Sequence, residues 1–387
     1  MEKYSLEELC SIITDGTHQT PEYSEDGYIF LSSKDVTMRK INWENTKKIP
    51  KQLHEILSVR LKPKLNDILL AKNGTTGVAA IVDRDEVFDI YVSLALLRPN
   101  EMVYPKYLLY AINSPQTKRQ FDGGLKGIGV PNLHLSVIRK TKVPLPQYRN
   151  QQEIVRRLET VDKLIEIERE QIIQYDNLIK SRFIEMFGDP ILNPKKWPMI
   201  GLGTLTSIGS SKRIFEKEYV DSGIPFYRTK EIVELSKGNL ISTELYIAKE
   251  RFDDIKDKYG VPKAGDLLIS AVGTIGVIWI VDGKNDFYFK DGNLIRVDSS
   301  EKFNSVYMKE LLENLIVEYK KQISSGTAYT ALTISGLTNM MVYDVPIRLQ
   351  NKFAAFVHQV EKLKSEEQKR LEKTQTLFDS LMQKYFG

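Results

Sequence analysis

The sequence predicts an α+β protein built twice over: two similar mixed α/β domains separated by two long helices that pair as an antiparallel coiled coil, with pseudo-twofold internal symmetry. Three observations predict it. Residues 67–83 (DILLAKNGTTGVAAIVD) return 199 positions later at 266–282 (DLLISAVGTIGVIWIVD), with nine of seventeen residues identical. Two stretches, 150–187 and 351–386, contain neither Gly nor Pro and carry apolar residues at heptad spacing. The remainder alternates short apolar segments with Gly, Pro, Asn and Asp, as mixed α and β structure does.

Within each copy, the repeated stretch reads as a β-hairpin. An apolar run (Ile68 to Leu70; Leu267 to Ile269) meets a Gly-Thr-x-Gly turn and a second apolar run (Val78 to Val82; Val277 to Val281). Glycine supplies positive φ where the chain reverses, and β-branched residues suit a pleated, buried surface. No Gly-Lys-Ser/Thr and no helix pattern follows Gly74, so a turn is expected there rather than a phosphate-cradling loop. Asp67 and Asp83, which recur in the second copy, read as strand-end caps. Helices are expected at Pro105–Ala111 and Asn304–Lys321. The same offset pairs Leu133 with Leu332, Gly127 with Gly326 and Phe187-Gly188 with Phe386-Gly387. A period this long marks a duplication, not a solenoid.

The first helical stretch places Ile154, Leu158, Val161, Ile165, Ile172, Tyr175, Ile179, Phe183 and Met186 at steps of three and four, with Glu168 the interruption. In the second, Phe353, Val357, Val360, Leu371, Phe378, Leu381 and Tyr385 keep the grid, diluted by Lys364, Glu367 and Thr374. At ~1.5 Å per residue each stretch makes a rod of roughly 57 Å. A compact domain between the two rods brings the end of the first near the start of the second, so the second is expected to run back along the first, with one domain at each end.

Composition narrows the function. The net charge of +4 over 387 residues is mild, but Lys47–Lys64 carries six Lys/Arg against one acid, and Arg139–Lys142 and Ser210–Arg213 add smaller basic clusters. Such clusters serve as solvated surface or as phosphate-contacting faces. A single cysteine, Cys10, and four scattered histidines offer neither an internal disulfide nor a zinc site. No apolar run spans a bilayer and Met1–Cys10 is too polar for a signal peptide, so a cytoplasmic location without membrane contact is expected.

The motifs, taken in order, resemble those of the specificity subunits of type I restriction-modification systems along essentially the whole chain. They are Ile13-Thr-Asp-Gly16-Thr-His18-Gln-Thr-Pro21, Gly27-Tyr-Ile-Phe-Leu, the Asp67 hairpin, Val143-Pro-Leu-Pro146, Gln151-Gln-Glu-Ile154 and Lys180 to Pro190 in the first copy. The second copy shows Ser210-Ser-Lys-Arg-Ile-Phe215, Gly223-Ile-Pro-Phe-Tyr-Arg-Thr-Lys-Glu231, the Asp266 hairpin and Leu381 to Gly387, but offers Gln350-Asn-Lys-Phe353 in place of Gln-Gln-Glu-Ile. That departure leaves open whether the two copies bind partners equally.

The resemblance implies target recognition domains at 1–148 and 189–349, each reading one half of a bipartite double-stranded DNA target, and helical spacers at 149–188 and 350–387. The spacers would set the gap between half-sites and dock two methyltransferase (modification) subunits, with restriction subunits joining through that complex. Base reading then falls to loop residues: His18, Gln19, Thr20, Lys34, Lys72, Asn73 and Lys126 in the first domain, and Ser211, Lys212, Arg213, Arg228, Lys230 and Tyr329 in the second. Arg clamps a guanine edge and Asn or Gln an adenine edge, whereas Lys more often holds a phosphate.

Catalysis, cofactor and metal are not expected in this chain. The strings Asp189-Pro190-Ile191 and Asn193-Pro194-Lys195 lack the second proline and the aromatic of an adenine methyltransferase loop. The alternative is a coiled-coil scaffold whose two domains bind protein rather than DNA.

Overall fold

A computed structural model of the chain describes residues 2–37, 39–125, 132–324 and 331–387. It folds into two compact units, Met1–Glu170 with Gln368–Gly387, and Gln171–Glu367. In the first, an antiparallel sheet has the strand order Cys10–Asp15, Leu94–Pro99, Ile68–Ala71, Ala79–Ile81. A second sheet runs Lys47–Ile49, Tyr28–Leu31, Phe88–Ile90, its last two strands parallel. The second unit repeats the plan. Its antiparallel sheet is Ile208–Gly209, Leu294–Val297, Leu267–Ser270, Ile278–Ile280; its other sheet, Tyr219–Val220, Tyr246–Ile247, Ile224–Tyr227, Tyr288–Phe289, again ends in a parallel pair.

The strands Ile68–Ala71 and Leu267–Ser270 are buried along their whole length, and their apolar residues do not alternate with polar ones because both faces are covered. Ile68 and Leu70 point into the core shared with the Pro105–Ile112 helix, while Leu69 and Ala71 point into a separate cluster with Phe88, Ile90 and Leu94. Leu267 and Ile269 face the Ser305–Ser324 helix, and Leu268 faces Phe287 and Phe289. The expected hairpin is present in both copies. Its loops hold Gly74 and Gly77 at φ 74° and 85°, and Gly273 and Gly276 at 71° and 85°. Asp67 and Asp266 cap the entry to the strands: their carboxylates accept from Lys64 N at 2.8 Å and Lys263 N at 2.9 Å, and Asp67 also accepts twice from Arg98.

Two 40-residue helices, Tyr148–Phe187 and Ile347–Phe386, each contribute one stretch to each unit. In the first unit they pair antiparallel: Thr374 Oγ1 donates to Glu168 at 3.1 Å, Arg157 meets Tyr385, and Leu158, Val161 and Ile165 share a core with Phe378, Met382 and Phe386. In the second unit Lys364 bridges to Asp176, and Phe183 and Phe187 pack edge-on against Phe353 at 5.5 and 5.6 Å. Burying each of these rings contributes roughly 1.5–3 kcal/mol. The polar residues that interrupt both heptad seams are thus one another's partners or lie beside them.

The first long helix stops at Gly188, whose φ of 85° breaks the helical path. Trp197 Nε1 and Lys195 Nζ then donate to the orphaned carbonyls of Phe187 at 2.9 Å and Glu185 at 2.5 Å. Asp189 Oδ1 accepts from Ile191 N and Leu192 N, so the Asp189-Pro190 and Asn193-Pro194 strings serve as turn formers here. Among the described residues no helix is long and apolar enough to cross a membrane, and no group of three or more His, Cys, Asp or Glu could hold a metal ion.

Candidate nucleic-acid interface

In the first unit four strands, Cys10–Asp15, Tyr28–Leu31, Ile68–Ala71 and Phe88–Ile90, run their C-terminal ends to one rim. The loops that leave them are stitched together. Lys72 N donates to Ser93 O at 2.8 Å, and Lys72 O accepts from Leu133 N at 2.9 Å. Ser33 N donates to Ser93 Oγ at 3.0 Å, Val92 N to Thr17 O at 2.9 Å, and Thr20 Oγ1 lies 3.2 Å from the Tyr91 hydroxyl. Gly16 admits no larger residue, because an added Cβ would sit 1.9 Å from Ile90 O.

Beneath this rim the side chain of Lys72, 7% exposed, donates to Asp15 at 2.7 Å. Burial alone would raise the Asp15 carboxyl, but the Lys72 hydrogen bond and charge outweigh it and hold it below its ordinary value. Arg60 ties the same loop by donating to the carbonyls of Asp15 and Gly16 at 2.5 and 2.8 Å. Lys72 was expected among the base-reading residues; here its ammonium is buried under the loops and paired with Asp15. His18, 70% exposed and 3.4 Å from Asp15, stands on the rim with exposed Gln19, Thr20 and Lys34. Asn73 lies beside them, and its Oδ1 is buried with no partner among the described residues. Lys126 lies outside the described residues.

The second unit builds the same rim from different side chains. Ala271 N donates to Asn293 O at 2.8 Å and its carbonyl accepts from Leu332 N at 2.9 Å, matching the two bonds of Lys72. Lys290 N donates to Tyr227 O and Lys212 N to the Tyr288 hydroxyl at 2.6 Å. Arg213, 67% exposed, pairs with Asp291 at 2.7 Å. Arg228 is held by Glu231: Nη2 donates to Oε1 at 2.8 Å and the backbone N to Oε2 at 2.8 Å. Burial works to raise the Glu231 carboxyl, and the Arg228 hydrogen bonds overcome it and lower it. Lys230 is exposed, Ser211 Oγ is buried without a partner among the described residues, and Tyr329 lies outside them.

The rim also gathers residues the sequence reading missed: Thr17, Ser33, Tyr91 and Ser93 in the first unit, and Tyr259, Lys290, Asp291 and Asn293 in the second. A usable signal existed, because the strands Phe88–Ile90 and Tyr288–Phe289 are followed within three residues by Ser93 and by Lys290 and Asp291.

A model of the type I restriction modification DNA specificity domain matches residues 1–175 and again 194–373. The chain belongs to this specificity-domain family. Among its relatives, a Haemophilus influenzae protein assigned as type I restriction enzyme specificity subunit S.HindORF215P is 28% identical over 252 residues, covering 64% of this chain and 63% of that one. The MjaVIII specificity subunit of Methanocaldococcus jannaschii is 27% identical over 46% of this chain and 44% of its own. The chain therefore spans less than two thirds of either relative. Two solved structures share the fold at 18% identity. One, a chain of a type I R-M system studied for complex assembly and conformational transition, has a TM-score of 0.59 over 99% of this chain and 97% of its own. The other, the S subunit from M. genitalium, has a TM-score of 0.53 over 100% and 96%. The duplication read from the sequence is thus the family's domain matched twice.

Proposed function

We propose that this chain is the non-catalytic DNA-specificity subunit of a type I restriction-modification complex and that each unit reads one half of a bipartite duplex target. One observation carries the reading: the two rims share a strand plan and the paired main-chain bonds of Lys72 and Ala271, yet present different side chains. That is what a protein needs to hold two unlike sequences on like scaffolds. The segments 1–148 and 189–349 act as the recognition domains. His18, Gln19, Thr20, Lys34 and Asn73 meet one half-site; Ser211, Lys212, Arg213, Arg228 and Lys230 meet the other. Lys72 supports the first rim from below.

Arg213 and Arg228 arrive already oriented by carboxylates, which favours bidentate contact over loose charge attraction. The helical segments 149–188 and 350–387 set the unread gap and dock two modification subunits, which bring the methyl transfer; restriction subunits join through that complex in the cytoplasm. Methylome sequencing of cells with and without the chain tests this. Loss of one two-part methylated motif on deletion is expected; an unchanged methylome would overturn the reading.

A further inference from the structure

A buried glutamine stands at the fourth residue of each long helix. Gln151 is 1% exposed and Gln350 is 2% exposed, and 199 positions separate them. Gln151 Oε1 accepts from Tyr104 N at 2.7 Å, while Nε2 donates to Met102 O at 3.1 Å and Pro146 O at 2.9 Å. Gln350 repeats the pattern: Oε1 accepts from Asn304 N at 2.8 Å and Nε2 donates to Val345 O at 2.7 Å. Tyr104 and Asn304 stand immediately before the Pro105–Ile112 and Ser305–Ser324 helices, which pack each unit's sheet against its helix pair. Pro146 and Val345 lie on the chain as it enters the long helices. One amide therefore joins three segments: long helix, recognition-domain helix and the connection between them.

Only glutamine fits this task. The site needs an acceptor and a donor on the same planar group at that reach; glutamate lacks the donor, and leucine lacks both. Of Gln-Gln-Glu-Ile, the second copy keeps only this first residue. The surrounding bonds differ. In the first unit the Tyr107 hydroxyl also donates to Pro144 O at 2.8 Å, whereas the matching Tyr307 hydroxyl is buried with no partner among the described residues.

We infer that Gln151 and Gln350 are positioning residues that fix the angle of each recognition domain on its own helix pair and thereby the gap between half-sites that the protein accepts. This rests on the specificity reading above. The Gln350 joint, lacking the tyrosine bond, depends on its amide more than the Gln151 joint does.

The test uses the complex assembled with its modification subunits and measures methylation of duplexes bearing the native gap or gaps one and two base pairs longer or shorter. Gln350→Leu should cut discrimination against wrong gaps by about tenfold and Gln151→Leu by less, while both still reject duplexes altered within a half-site. Gln350→Asn and Gln151→Asn keep acceptor and donor but shorten the reach by one methylene, so they should fall between wild type and the leucine variants; they carry the test if the leucine variants do not assemble. Unaltered gap preference in the variants, even with a lowered melting temperature, would show a merely structural role and overturn the inference. Wild-type complex that ignores two-part sequence altogether would instead overturn the specificity reading, and the inference with it.

Discussion

In the first unit the Lys51–Arg60 helix turns His54 onto Asp89, Nδ1 to Oδ2 at 2.6 Å, with the Tyr28 ring stacked on the imidazole at 3.8 Å. In the second unit Phe252 and Tyr288 occupy those positions and share an apolar cluster. The same contrast recurs under the rims, where Asp15 and Lys72 pair and their counterparts are Ser210 and Ala271. At these two places one backbone supports a pair of ionisable side chains in the first unit and neutral side chains in the second. The teaching is that strand order, glycine turns and main-chain bonds define the scaffold, while interior polarity is open to exchange provided each charge keeps its partner.

The largest test of that proviso removes one partner. Lys72→Met should destabilise the first unit by about 4 kcal/mol, because it strands a buried carboxylate. The double change Asp15→Ser with Lys72→Ala, which installs the second unit's residues, should recover most of the loss in urea unfolding. If it recovers nothing, the two interiors are not interchangeable.

A pH comparison sharpens the contrast. Burial pushes the Glu310 carboxyl up to about 7 from an ordinary 4.5, with Glu313 adding to the rise and Lys309 and Lys180 opposing it. Its neutral form is the one the fold tolerates, so the contribution is fully present below about 4.5 and is lost as pH rises through about 7. The counterpart in the first unit is Tyr110, whose hydroxyl burial drives upward, away from this window. Between pH 5 and pH 8 the second unit should lose about 2 kcal/mol. Hydrogen exchange should show it in the Ser305–Ser324 helix and not in Pro105–Ile112, and Glu310→Gln should flatten it.

Smaller effects are expected at the matched hairpins. A Cβ on Gly276 would lie 2.6 Å from Ile316 Cγ2, while one on Gly77 would lie 3.3 Å from Phe121 Cδ2, both at φ 85°. Gly276→Ala should cost about 2 kcal/mol and Gly77→Ala about 1 kcal/mol by thermal melting. Equal costs would mean that backbone strain, not crowding, dominates.

Local pattern carried much of the fold in the sequence. The 199-residue offset, the Gly-Thr-x-Gly turn and the heptad seams are short-range signals, and each corresponds to an observed element. The site was less legible, because the state of a charge depends on partners far along the chain. Lys72 resembles any loop lysine until Asp15, 57 residues earlier, folds beneath it. Glu168, Lys364 and Thr374 read as flaws in the seams until Thr374 meets Glu168 and Lys364 meets Asp176. Gln350 looked like part of a departure from the first copy, yet it retains the one residue whose bonds the second joint repeats.

The central claim is that each rim reads its own half-site. The direct measurement is the methylome of cells carrying the Lys212→Ala, Arg213→Ala chain. One half of the methylated motif should relax while the other half and the gap stay as in wild type; equal relaxation of both halves, or of neither, would contradict the account.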